Sequence, residues 1–104
     1  EEIVHLANEA GLGYVKAKKV AERLELLKPS RRAEAMEKFD NGSRTESKIR
    51  RLAETDPEYI AFLEKLVSAR EESEKARIRY ESYKNLFEAR RSIMSYQKAE
   101  MRLL

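Results

Sequence analysis

From residue 57 onward the apolar positions recur by sevens. Tyr59, Leu66, Ser73, Tyr80, Phe87, Met94 and Met101 form one register. Phe62, Ala69, Ala76, Tyr83, Arg90, Gln97 and Leu104 form a second, three residues behind the first. Only Ser73, Arg90 and Gln97 interrupt them with polar groups. Alternating steps of three and four place both registers on one helix face, the a/d seam of a coiled coil. Asp56-Pro57-Glu58 is a helix start: the Asp carboxylate accepts from free N–H groups, and proline costs nothing in a first turn. No Gly or Pro follows Pro57, so a helix over 57–104 is predicted, roughly 70 Å long at ~1.5 Å per residue. A seam of that length needs a cover of comparable length.

The N-terminal half provides one. Ile3, Ala7, Ala10, Tyr14, Ala17, Ala21 and Leu24 repeat the same spacing, and Leu6, Gly13, Val20 and Leu27 widen the stripe. Gly11 and Gly13 each weaken a helix by ~1 kcal/mol relative to Ala, while permitting close approach. Pro29 removes a backbone donor and clashes with the preceding turn, which predicts a kink or break near Lys28 within a helix over 1–40. Asn41-Gly42 reads as its C-terminal cap. Ser43-Arg44-Thr45-Glu46 has the form of a capping box, opening a short helix over 43–55 that carries Ile49, Leu52 and Ala53.

The expected fold is therefore all-α, a single domain over 1–104: a long antiparallel helical hairpin with a short connecting helix. Such a hairpin is thin, and Ile60, Val67, Ile78, Leu86 and Ile93 would stay partly exposed. A second copy covering that side would complete a four-helix bundle. The expected state is a homodimer, with Tyr80, Tyr83, Leu86, Phe87, Ile93 and Met94 as the self-association residues.

Composition supports this plan. Of 104 residues, 39% are charged and only three are Gly and two Pro, too few turn formers for a multi-stranded β fold. No apolar run approaches the ~18 to 20 residues of a membrane span, and no basic-then-apolar leader opens the chain. Zero cysteines exclude disulfides, thiolate zinc sites and cysteine nucleophiles.

The net charge of +3 conceals a segregation. Residues 28–51 carry eight basic and four acidic side chains, and residues 89–104 carry four and one. In an antiparallel hairpin these segments lie at opposite ends. The candidate DNA contacts are Arg44, Lys48, Arg50 and Arg51 at one pole, and Arg90, Arg91, Lys98 and Arg102 at the other, where phosphate neutralisation is the expected chemistry. Arg70, Arg77, Lys84, Arg91 and Lys98 also occupy five successive e positions. As a basic ladder they would track a phosphate backbone. The plainer explanation is intrahelical ion pairing with Glu74, Glu81 and Glu88, worth ~0.2–0.5 kcal/mol each; only the stretch past Glu88 lacks acidic compensation.

Catalytic chemistry finds no constellation. His5 is the only imidazole and suits a surface or seam position better than a metal site. The carboxylates of Glu71-Glu72-Ser73-Glu74 point around a helix rather than toward one ion. Gly11-Leu12-Gly13 lacks the preceding strand and following Lys-Ser/Thr of a phosphate loop. No enzyme, no cofactor and no metal are expected.

Ser43-Arg44-Thr45, Ala53, Asp56-Pro57-Glu58-Tyr59 and Leu63, then Arg79-Tyr80-Glu81, Phe87-Glu88-Ala89-Arg90-Arg91-Ser92 and Lys98-Ala99-Glu100, resemble the pattern of a family of small helical proteins of tailed bacteriophages. The resemblance covers about residues 14–104. The family is encoded in early gene regions beside single-strand-binding and recombination genes, and it brings no catalytic or ligand residues. It implies the cytoplasm of a bacterium or infected host, and a place in DNA metabolism by neighbourhood. The expected function is a non-enzymatic DNA-binding accessory of recombination or replication. The alternative is a protein-interaction adaptor or inhibitor presenting a helical face to a partner enzyme.

Overall fold

The computed structural model describes residues 2–103. Three helices follow in order: α1 (Glu2–Phe39), α2 (Glu46–Ala53) and α3 (Pro57–Leu103), with no strand among the described residues. Glu1 and the seam position Leu104 lie outside the described residues. α1 and α3 pack antiparallel: Lys38 meets Asp56 and Glu58 at one end, Glu25 meets Arg70 midway, and Gly11 lies under Tyr80 further on. The result is a rod of 87 × 21 × 16 Å. Its Cα radius of gyration is 23.7 Å, against ~13 Å for a compact chain of 100 residues.

The core is concentrated where all three helices meet. Ala35 of α1, Ala53 of α2, and Tyr59 and Phe62 of α3 are buried together, with Leu24, Met36 and Leu63 packed against them. Leu66 is 1% exposed just beyond. Alanine on α1 and α2 faces the large rings of α3, so large and small residues interdigitate across the seam. Further along, the Tyr14 and Tyr80 rings stack with centroids 6.3 Å apart. Tyr80 can close there because Gly11 has no Cβ: one would sit 3.0 Å from the ring.

Pro29 does not break α1, which is helical on both sides of it. The turns flanking it are anchored to α3, through Glu25–Arg70 before and Ala35 after. The proline itself is exposed, so its ring displaces no packing against α3.

The short helix starts later than the capping box suggests. Thr45, not Ser43, is its N-cap, accepting from the Lys48 N–H at 3.3 Å. Ser43 is taken by the preceding turn, where the Asn41 side chain accepts from the backbone N–H of Ser43 and Arg44 and from the Ser43 hydroxyl. Gly42 adopts φ +83° at this bend, a region closed to most side chains. Asp56 starts α3 as expected: it is buried and accepts from the Tyr59 N–H at 3.2 Å.

Candidate functional site

Several cations singled out by charge alone are committed to the fold. Arg44 donates to the Phe39 carbonyl at 2.8 Å, closing the C-terminus of α1. Arg50 pairs with Glu46 one turn back, at 3.0 Å. Lys48 and Arg51, exposed like Arg50, are the cations of α2 outside that pair. The groove between α1 and α2 sets Arg44 among Glu37, Asp40 and Glu46. This pole is therefore of mixed sign, and a phosphate backbone laid there would meet carboxylates as well as cations.

The ladder of e positions divides in the same way. Arg77 pairs with Glu74 and with Glu81, the latter at 2.9 Å, as intrahelical spacing predicts. These bonds, with Glu74 first, hold the guanidinium well above its ordinary value, and the reciprocal bond from Arg77 holds the Glu74 carboxyl below the usual carboxylate range. Arg70 departs from expectation: it bonds Glu25 of α1, so this rung ties the two long helices together.

A linkage that charge counting missed joins the helix ends near the core. Lys38 bridges the buried Asp56 at 3.2 Å and the exposed Glu58 at 3.0 Å. The hydrogen bond to Glu58 raises the Lys38 pKa; burial opposes it, and the hydrogen bond to Asp56 adds to the rise. Lysine near the end of α1 and two acids at the start of α3 were the available signal, since each also suits its own helix dipole.

The opposite end differs in kind. Tyr80, Tyr83 and Phe87 are half-buried within the hairpin, so the expected self-association edge is partly consumed by α1. Past Phe87 every described residue is exposed. Residues 88–103 continue α3 as a lone helix of ~24 Å. They bring Ile93, Met94, Tyr96, Met101 and Leu103 to the surface at 57% exposure or more, next to the half-exposed Leu86. Arg90, Arg91, Lys98 and Arg102 lie on the same stretch, against Glu88 and Glu100. Arg91 rests over the Phe87 ring, 6.0 Å from its centroid. Strong helix formers such as Ala89, Ala99, Gln97 and Met101, and cations near the C-terminal end, favour helix here without tertiary support.

His5 sits near Glu9 at 3.2 Å with both side chains largely exposed. Among the described residues no group of three or more His, Cys, Asp or Glu is placed to hold a metal, and no helix is long and apolar enough to cross a membrane. Comparison with protein-family models, with curated proteins and with solved structures yields no match.

Proposed function

We propose that this chain is a non-enzymatic helical adaptor of phage or bacterial DNA metabolism, in which the exposed apolar face of α3 past Phe87 docks a partner protein. One observation carries the reading: the seam that α1 covers as far as Phe87 continues bare through Met94 and Met101. A lone helix of this length is marginal in water, and an apolar stripe on it is the usual recognition surface of helix-mediated association. The setting in DNA metabolism rests on the resemblance of residues 14–104 to the phage family. Affinity capture with the full chain and with its Ile93→Asp/Met94→Asp variant tests the proposal. A DNA-processing protein held by the first and lost by the second supports it; identical capture by both defeats it.

DNA binding is the second reading, favoured by the basic excess over residues 89–104, four cations to one acid. The surviving contacts are Lys98 and Arg102, with Arg90 and Arg91, at the free end, and Lys48 and Arg51 at α2. The poles stand at opposite ends of an 87 Å rod. One duplex bridging both would need about 25 base pairs at ~3.4 Å each. This reading requires affinity that falls steeply with salt and rises between duplexes of about 12 and 30 base pairs.

A further inference from the structure

Two exposed stripes of the hairpin carry opposite charge at equal spacing. On α1, Lys16, Val20, Arg23 and Leu27 follow steps of four, three and four, which align them on one helix face. On α3, Ile60, Glu64, Val67 and Glu71 follow the same steps. Every one of these positions is exposed, and the four apolar side chains lie between 40% and 50%. Both stripes flank parts of the hairpin where the seam is closed, beside the buried Ala21 and Leu66. Lys16, Arg23, Glu64 and Glu71 take no part in the ion pairs among the described residues. Within one copy the stripes do not meet, because the hairpin aligns Glu25 with Arg70 instead.

We infer that copies of this chain associate by seating the α3 stripe of one on the α1 stripe of the next. Laid antiparallel, the two match along their length. Leu27 meets Ile60 of the next copy and Val20 meets its Val67. In the same register Arg23 meets Glu64 and Lys16 meets Glu71. Two apolar pairs leave water and two ion pairs form over about 16 Å.

Charge separates this occupant from the others. The α1 stripe against its own copy would set cations on cations, and the α3 stripe against its own would set glutamate on glutamate, both repulsive. A phosphate backbone would take Lys16 and Arg23 but leave Val20 and Leu27 in water. A foreign acidic helix would serve the α1 stripe and leave the α3 stripe bare. Cross pairing of copies satisfies both. Since each copy presents one stripe of each kind, the contact is heterologous and extends beyond two copies. It uses no residue past Glu71 and is independent of the adaptor reading.

Sedimentation of the chain from about 10 to about 500 μM is the test, because a contact this small is weak. At about 50 mM salt the mean mass should climb past that of a dimer, and about 500 mM salt should bring it down towards the monomer. Lys16→Glu/Arg23→Glu and Glu64→Lys/Glu71→Lys should each stay monomeric, with helix content unchanged by circular dichroism. Their equimolar mixture should associate again, a rescue that misfolded variants cannot give. The chain has no cysteine, so register is tested by oxidation. A Val20→Cys copy should cross-link to a Val67→Cys copy, and at least about tenfold less to an Ile60→Cys copy, which lies about 10 Å out of register. A monomer at every concentration overturns the inference, as does assembly that stops at a dimer or survives either charge reversal alone. Indifference to salt, failure of the mixture to associate, or equal cross-linking at the two positions overturns it as well.

Discussion

The two ends of α3 share one heptad pattern and have opposite fates. At the first, Tyr59, Phe62 and Leu66 are buried against small residues of α1 and α2, and Lys38 clamps the helix start through Asp56 and Glu58. At the second, Met94 and Met101 hold the same a position in water. A seam residue thus becomes core only where another element lies opposite it. The periodicity states what a face can do, and the length of the covering helix decides where it does it.

Paired substitutions sharpen that contrast. Leu66→Ala should cost ~2–5 kcal/mol, because the buried site cannot collapse fully around the lost methylenes. Met101→Ala should change stability by less than ~0.5 kcal/mol, as at other exposed positions. Urea unfolding of both variants measures the difference; a similar loss at the two sites would mean that the free end is covered in solution.

A smaller effect separates the two glycines of α1. Gly13 faces open space, and Gly13→Ala should stabilise by ~0.4–1 kcal/mol through helix propensity and a restricted unfolded chain. At Gly11 the same methyl would press on the Tyr80 ring at 3.0 Å. Overpacking there should cancel the gain and leave Gly11→Ala the less stable of the pair by about 1 kcal/mol or more. Thermal unfolding followed by circular dichroism would rank them, and equal stabilisation would place Tyr80 away from Gly11.

The smallest effects are electrostatic. The folded Lys38 pKa is raised, so its contribution is fully present below the unfolded value near 10.5 and is lost as pH climbs through the higher folded one. Lys38→Met should flatten the alkaline fall in the urea midpoint relative to the parent as pH rises above about 10.5. Parallel profiles would mean that the bridge to Glu58 and Asp56 is not held in solution. The Glu74 carboxyl is lowered by Arg77. Its contribution is present above about pH 4.5 and disappears as pH falls through the folded value, so Glu74→Gln should lessen the acid-side loss.

Much of the architecture was legible in the chain. The absence of Gly and Pro after Pro57 implied one long helix, Asp56 its start, and the shared spacing of Ala7 to Leu24 its cover. Register was not, because repeated alanines fit opposite many rings and specific contacts such as the Gly11–Tyr80 seat, the Glu25–Arg70 pair and the Lys38 bridge select one alignment. Nor was the fate of each cation. Arg44 and Arg51 look alike in sequence and both are exposed, yet only Arg44 donates to a helix-end carbonyl, a distinction set by where the bend at Gly42 delivers the chain. Ser43 and Thr45 compete for one cap, and Asn41 decides between them by drawing Ser43 into the turn.

Shape has a practical corollary. A particle more than four times longer than it is wide drags through solvent like a much heavier sphere. A single copy will leave a gel-filtration column ahead of globular standards of its own mass, in the volume where a dimer of compact subunits would appear. Sedimentation will err the other way, since friction slows it. The ratio of the two measurements therefore reports elongation directly, and bending of the rod at Pro29 would register as a fall in that ratio.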